Sequence, residues 1–148
     1  MLHRSLEAVY DGLRNFLVAE KDGTILGCVA VEIAWADLAE VKSLAVHAEV
    51  KRQGIGRKLV DAAIISARRL GIRRLFALTY EQEFFARCGF HVISRDQLPS
   101  KVWSDCVNCP KRQACDEIAM LLEVVRRKTP SRTLFAEQPM TDLAADDD

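Results

Sequence analysis

Apolar residues recur along the chain with two different periods, and each period predicts one type of secondary structure. Over residues 5–15 the spacing is helical, and Ser5 is a suitable N-cap. Residues 16–19 and 25–33 are apolar and rich in β-branched side chains. The Lys21-Asp22-Gly23 turn between them predicts a β-hairpin. A third strand is predicted over residues 40–47.

The pattern continues with a second helix and further strands. Residues 57–70 carry apolar positions on one helical face, and Arg68, Arg69 and Gly71 mark the end of that helix. Elements also predicted are a strand over 73–79, a short helix over 81–87 closed by Gly89, and a strand over 90–94. One or two helical turns are expected over 100–105, an irregular loop over 106–115, and a mobile, acidic-ended tail over 126–148.

One stretch remains ambiguous on pattern alone. Residues 118–125 contain Ala, Met, Leu and Glu, whose propensities favour helix. The apolar run is too short for its period to separate a buried helix from a buried strand.

Composition narrows the class of protein. The 148 residues suit one compact domain, and 49% of them are apolar. Lys+Arg and Asp+Glu are equal at 21 each, which argues against a general nucleic-acid binder. No apolar run is long enough to span a bilayer, and no secretory signal pattern is visible. We therefore expect a cytoplasmic protein without nucleic-acid or membrane partners, in which the 5 cysteines stay reduced or bind metal.

A basic, glycine-containing loop follows the third strand and precedes the second helix. It reads Lys51-Arg52-Gln53-Gly54-Ile55-Gly56-Arg57. Backbone N–H groups at such a helix N-terminus bind phosphate, and glycines allow a pyrophosphate to approach closely. The order of glycines matches neither the dinucleotide fingerprint nor the nucleotide P-loop. A plain strand-to-helix turn, with glycines serving only tight geometry, is the alternative.

Together, Leu44-Ala45-Val46-His47 and the loop from Lys51 to Gly56 resemble the acetyl-CoA signature of the GNAT superfamily of N-acetyltransferases. Lys51 stands where Gln or Arg is usual. Further stretches resemble the acetyltransferase domain of N-acetylglutamate synthases, especially short stand-alone forms: Leu78-Thr79-Tyr80, residues 84–90, Leu98-Pro99, Lys101-Val102-Trp103 and the Cys106-x-x-Cys109-Pro110 loop. The resemblance covers about residues 4–125.

The resemblance implies an α/β fold. Its mixed, mostly antiparallel sheet has helices on both faces and a V-shaped opening after Val46, and residues 118–125 form a strand in it. The domain is expected to occupy residues 1–125. Superfamily members usually begin with a further strand and helix before the position of Ser5, so we expect the present sequence to start late.

The resemblance also implies a set of site residues. Leu44, Ala45 and Val46 would pair with the pantetheine arm, and a backbone N–H there would polarise the thioester carbonyl. The pyrophosphate would lie on Lys51, Arg52, Gln53, Gly54, Ile55, Gly56 and Arg57. Glu40 matches the position of a general base, with Glu32 and His47 in reserve. A surface ion pair is the alternative role for Glu40.

The resemblance defines less well the residue that protonates the coenzyme thiolate and the site that binds the acetyl acceptor. Phe85 occupies the place where many relatives carry an acidic tyrosine, which leaves Tyr80 as the nearest tyrosine to protonate the thiolate. Arg4, Lys42 and Lys101 are candidates to bind the carboxylates of a dicarboxylic amino acid, and Arg4 offers a bidentate guanidinium. These assignments predict an acetyl-CoA-dependent glutamate N-acetyltransferase of arginine synthesis, and leave a homodimer open.

Two other functions stay open, as does the role of the cysteine loop. Cys106, Cys109 and Cys115 have ligand-like spacing. A fourth ligand from Asp105, Asp116, His91 or Cys88 would complete a zinc site, or the thiols would hold an iron–sulfur cluster. Three reduced cysteines in a loop are the alternative, so no metal site is assigned. The chain would alternatively acetylate another amine or a protein N-terminus. It would otherwise be a non-catalytic module that binds acyl-CoA or metal.

Overall fold

The computed structural model describes residues 4–100, 102–103, 106 and 115–124. The helices are α1 (Leu6–Asp11), α2 (Ile55–Arg69) and α3 (Gln82–Arg87). The strands are β1 (Phe16–Lys21), β2 (Thr24–Trp35), β3 (Leu38–Val46), β4 (Arg74–Thr79), β5 (His91–Val92) and β6 (Ile118–Glu123). Short 3₁₀ turns cover Leu13–Asn15, Ala48–Val50 and Arg95–Gln97.

Most of the helices and strands agree with the predicted ones, and the main differences concern the ends of two elements. The predicted helix over 5–15 begins at the Ser5 cap but ends at Asp11, because Gly12 closes it and a 3₁₀ turn follows. The strand predicted over 90–94 is reduced to β5. The ambiguous stretch forms β6, as the resemblance implied, because it pairs with both β4 and β5. Tertiary pairing here outweighs the helix propensity of its residues. The predicted loop and tail lie almost wholly outside the described residues.

The six strands form one sheet in the order β1-β2-β3-β4-β6-β5, and β3 with β4 is its parallel pair. α2 connects these two strands, and α2 and α3 pack on one face of the sheet. The core on that face includes Val60 and Ala63 of α2 with Phe85 of α3. The opposite face carries Leu38 and Phe76, which Leu98 and Val102 cover. Among the described residues, the segment that contains Leu98 and Val102 covers this face, and it is short and irregular.

The parallel pair β3–β4 is short, and this opens the sheet. Pairing runs from Leu38↔Arg74 to Glu40↔Phe76, and no further β3–β4 pair occurs among the described residues. Beyond that point β3 continues beside β2, while β4 continues beside β6. The V-shaped opening therefore begins after Glu40, and the prediction that it begins after Val46 is wrong. A β-bulge in β3 lies along this stretch, and bulges bend the strand that carries them.

Candidate active site

A β-bulge interrupts β3 along the opening. Cys28 pairs with Ala45 and Ala30 pairs with Lys42, so one β2 residue faces two β3 residues, Ser43 and Leu44. Ser43 has a φ of +55°, in the left-handed region that non-glycine residues rarely adopt. The Cys28 thiol donates to the Ser43 carbonyl over 3.5 Å. A bulge removes backbone groups from the regular ladder, so the β2–β3 pairing is interrupted on the strand that borders the opening.

The N-terminus of α2 is built without a side-chain cap. Gly54 is the N-cap with a φ of +81°, and the first turn contains no acidic residue. The first helical hydrogen bond runs from Lys58 N to Gly54 O, so the N–H groups of Ile55, Gly56 and Arg57 precede the helical ladder. The positive end of the helix and these N–H groups together favour a bound anion.

The side chains of the loop separate into two groups. Lys51, Arg52 and Gln53 are exposed, and Arg52 also has a positive φ of +65°. Arg57 instead turns towards α3: its Nη1 donates to the Arg87 carbonyl over 2.7 Å, and its Nε donates to Asp61 over 3.3 Å. The Arg57 guanidinium therefore links α2 to the end of α3 and does not extend towards the loop.

Glycine is favoured at positions 54 and 56 of the loop for two different structural reasons. A Cβ at Gly54 would meet no atom within 4 Å, so its positive φ is what favours glycine there. A Cβ at Gly56 would lie 3.4 Å from two ring atoms of Phe84 and 3.7 Å from Val46 Cγ2. Gly56 therefore allows α2, α3 and the end of β3 to approach one another.

Glu40 lies where the V-shaped opening begins, beside two other charged residues. It stands opposite Glu32 on β2, and Lys42 Nζ lies 3.4 Å from the Glu40 carboxylate and 3.2 Å from that of Glu32. Glu40 alternates with Val41, which packs in the α2-side core, so its side chain lies on the opposite face. Lys42 is predicted above to bind a substrate carboxylate, but the structure places it between two carboxylates of the protein.

Tyr80 follows the last residue of β4, at the outer end of the opening. A hydrogen bond to the Asp116 carboxylate, together with desolvation and the negative charges of neighbouring residues, raises the pKa of Tyr80 to about 12. The phenol is therefore a weaker acid than an ordinary tyrosine. His47, the reserve base, accepts a hydrogen bond at Nδ1 from Glu49 N over 3.4 Å and caps a 3₁₀ turn.

Phe85 is a core residue. Its side chain is buried and makes edge-to-face ring contacts with Phe84 and Phe90, with ring centroids 5.2 Å apart in each pair. Phe85 therefore contributes packing between α3 and Phe90, the residue that precedes β5.

The remaining predicted residues are spread over the chain. Arg4 is half-buried and precedes the Ser5 cap, whereas Lys101 and Cys109 lie outside the described residues. The Cys115 thiol accepts a hydrogen bond from Arg95 Nη2 over 3.2 Å. Within the described part of the chain, no group of three His, Cys, Asp or Glu residues is arranged to hold a metal ion. No helix in that part is long and apolar enough to cross a membrane.

Comparison with known proteins gives the family. Residues 12–92 match the acetyltransferase (GNAT) domain. An uncharacterized N-acetyltransferase of Chlorobaculum tepidum is 45% identical over 121 residues, which is 82% of this chain and 78% of that protein. The amino-acid acetyltransferase of Mycobacterium tuberculosis is 36% identical over 108 residues, 71% of this chain and 62% of that protein.

A solved structure has the same fold. N-acetylglutamate synthase from Neisseria gonorrhoeae, complexed with coenzyme A and N-acetyl-glutamate, superposes with a TM-score of 0.76 at 34% identity. The match covers 85% of this chain but 29% of that one, so the similarity concerns one part of the larger protein. With the sheet, its opening and the sequence match taken together, the chain belongs to the GNAT family of N-acetyltransferases.

Proposed function

We propose that the protein transfers the acetyl group of acetyl-CoA to the α-amine of L-glutamate or a close analogue. The observation that carries the proposal is the parting of β3 from β4 at Glu40↔Phe76, with a carboxylate at the start of the opening. The uncapped N-terminus of α2 follows the other end of β3. This arrangement provides an anion site, a backbone edge and a base along one path.

Each part of acetyl-CoA has a matching feature. The pyrophosphate would accept hydrogen bonds from the N–H groups of residues 54–57, with Lys51 and Arg52 adding positive charge. The pantetheine arm would pair with the free edge of β3 along Leu44, Ala45 and Val46. A backbone N–H beside the bulge would donate to the thioester oxygen, where negative charge develops during attack.

The reaction is a direct transfer between amine and thioester. The amine nitrogen attacks the acetyl carbon, the new C–N bond forms, and the C–S bond breaks to release the coenzyme thiolate. Glu40 would accept the proton that the amine loses, directly or through one water. The coenzyme thiolate then takes a proton from solvent, because the Tyr80 phenol is already engaged in a hydrogen bond with the Asp116 carboxylate. Tyr80 is the alternative donor.

The choice of acceptor rests on the relatives. Proteins named amino-acid acetyltransferases are similar over most of the described chain, and the gonococcal synthase holds N-acetyl-glutamate. Arg4 and Lys101 remain the proposed partners of the substrate carboxylates, since Lys42 is engaged with Glu32 and Glu40. A glutamate acceptor would place the reaction at the entry to arginine synthesis.

A thiol-release assay with acetyl-CoA and a panel of free amino acids tests the proposal. We expect the highest kcat/KM for glutamate or a close analogue, and mass spectrometry should find the acetyl group on the α-amine. Turnover with peptides but with no free amino acid would instead indicate a protein acetyltransferase. Tight acetyl-CoA binding in calorimetry without turnover of any amine would indicate a non-catalytic acyl-CoA-binding module.

A further inference from the structure

The three charged residues beside the opening suggest a role for Lys42 that the family match does not assign. We propose that Lys42 is a positioning residue: its ammonium holds the Glu40 carboxylate in place for proton transfer, using Glu32 as a second anchor. This inference rests on the proposed function, in which Glu40 is the base.

The geometry ties Lys42 to both strands. Lys42 lies two residues after Glu40 on β3, so both side chains project from the same face of the sheet. It pairs with Ala30 on β2, whose side chain is small and on the same face of the sheet. The ammonium thereby reaches the Glu40 carboxylate over 3.4 Å and that of Glu32 over 3.2 Å.

The ion pair between Lys42 and Glu40 is more buried than the one between Lys42 and Glu32. The Lys42 side chain is 12% exposed and that of Glu40 is 17% exposed, whereas the Glu32 side chain is 42% exposed. Two carboxylates directly opposite each other on neighbouring strands repel, and one ammonium with three donors can satisfy both. Without that ammonium, the Glu40 side chain would be expected to turn away from Glu32.

Position matters because a base acts only within hydrogen-bond reach of the proton it accepts. A displacement of about 1 Å in a reacting group can lower the rate by about 100-fold. Lys42 contacts the base and has no assigned contact with the substrate, so its effect should appear in kcat and depend on the presence of Glu40.

A double-mutant cycle tests the proposal. We expect Lys42→Met to lower kcat by about 10- to 100-fold, with unchanged acetyl-CoA affinity in calorimetry. In a Glu40→Gln background the same change should alter kcat by no more than about two-fold, because the group that Lys42 positions is already inactive. Lys42→Arg, which keeps the charge and can donate to both carboxylates, should retain most of the activity. Lys21→Met, at the β1–β2 turn, is the matched control.

Several outcomes would overturn the proposal. A Lys42→Met variant with normal kcat would remove Lys42 from the mechanism. An increase in the acceptor KM at normal kcat would assign Lys42 to substrate binding instead. A full, independent effect in the Glu40→Gln background would show that Lys42 does not act through Glu40. If Lys42→Met does not fold, Lys42→Gln carries the same expectations.

The wild-type protein in the same assay separates this proposal from the proposed function. Absence of turnover by the wild type with every acceptor would refute the proposed function. Normal turnover by the wild type, with an independent effect of Lys42→Met, would refute only the role of Lys42.

Discussion

The substitution Gly54→Val tests whether the loop before α2 binds the coenzyme. Gly54 has a φ of +81°, and a Cβ there would meet no protein atom within 4 Å. The substitution is therefore strained by backbone conformation and not by a clash within the protein. A left-handed conformation costs an L-residue about 1–2 kcal/mol. Valine is β-branched, so the upper part of that range applies.

The same structure provides a matched control at the other end of α2. Gly71 has a φ of +76°, and a Cβ there would also meet nothing within 4 Å. Gly71→Val therefore introduces the same strain at the end of α2 that is remote from the opening. Both variants should lose a similar free energy of unfolding in urea titrations, about 1–2 kcal/mol.

Only the Gly54 variant should lose affinity for acetyl-CoA. When the valine at position 54 relaxes to a negative φ, the loop must return to the positive φ before it can bind the coenzyme. That return costs the same strain energy, which corresponds to a rise in the Kd for acetyl-CoA of about ten-fold or more. The valine side chain would add to this by opposing close approach of the pyrophosphate. Calorimetry with acetyl-CoA measures the effect. An unchanged Kd in a folded Gly54→Val variant, or an equal loss in Gly71→Val, would refute the placement of the pyrophosphate.

Two further predictions concern Tyr80 and the thiols of Cys28 and Cys88. Tyr80→Phe should change kcat by less than about three-fold, because the phenol is already hydrogen-bonded to the Asp116 carboxylate and the coenzyme thiolate can take its proton from solvent. A loss of about 100-fold in the thiol-release assay would restore Tyr80 as the acid. Burial raises the pKa of the Cys28 and Cys88 thiols in the folded protein. Their contribution to stability is therefore fully present below the pKa of an unfolded thiol, which is about 8.5. This contribution is lost as the pH rises through the pKa values of the folded protein. The free energy of unfolding should therefore fall between pH 7 and pH 10, and it should fall less in a Cys28→Ala/Cys88→Ala variant; an equal fall in both proteins would contradict the assignment.

Local sequence patterns predict most of the elements of this fold. The helical period of Leu59, Val60, Ala63 and Ala67 correctly indicates the buried face of α2. The basic, glycine-containing loop over residues 51–57 is recognisable because its glycines and basic residues lie close together in the chain. β6 required the family resemblance, since its residues favour helix and only pairing with β4 and β5 makes it a strand.

Features that depend on contacts between distant residues were not predictable in the same way. The start of the V-shaped opening depends on where β3 and β4 stop pairing, after Glu40. The bulge at Ser43 was equally unpredictable, because no local signal marks a serine for a left-handed conformation. The pairing of Lys42 with Glu32 depends on the β2–β3 register. The acidity of Tyr80 depends on Asp116, which follows it by a long stretch of chain. Residue type alone therefore suggested a substrate contact for Lys42 and an acid at Tyr80. In the structure, Lys42 lies between two carboxylates and the Tyr80 phenol is hydrogen-bonded to Asp116.

The most direct test of the active site is the turnover of Glu40→Gln with acetyl-CoA and the preferred amino acid. Glutamine keeps the shape of Glu40 but cannot accept the proton, so kcat at neutral pH should fall by about 10²–10⁴-fold while the Kd for acetyl-CoA stays the same. The deficit should shrink at higher pH, where more of the amine is already deprotonated. Near-normal turnover of a folded Glu40→Gln variant at neutral pH would contradict the placement of the base at the start of the opening and direct attention to Glu32, His47 or water.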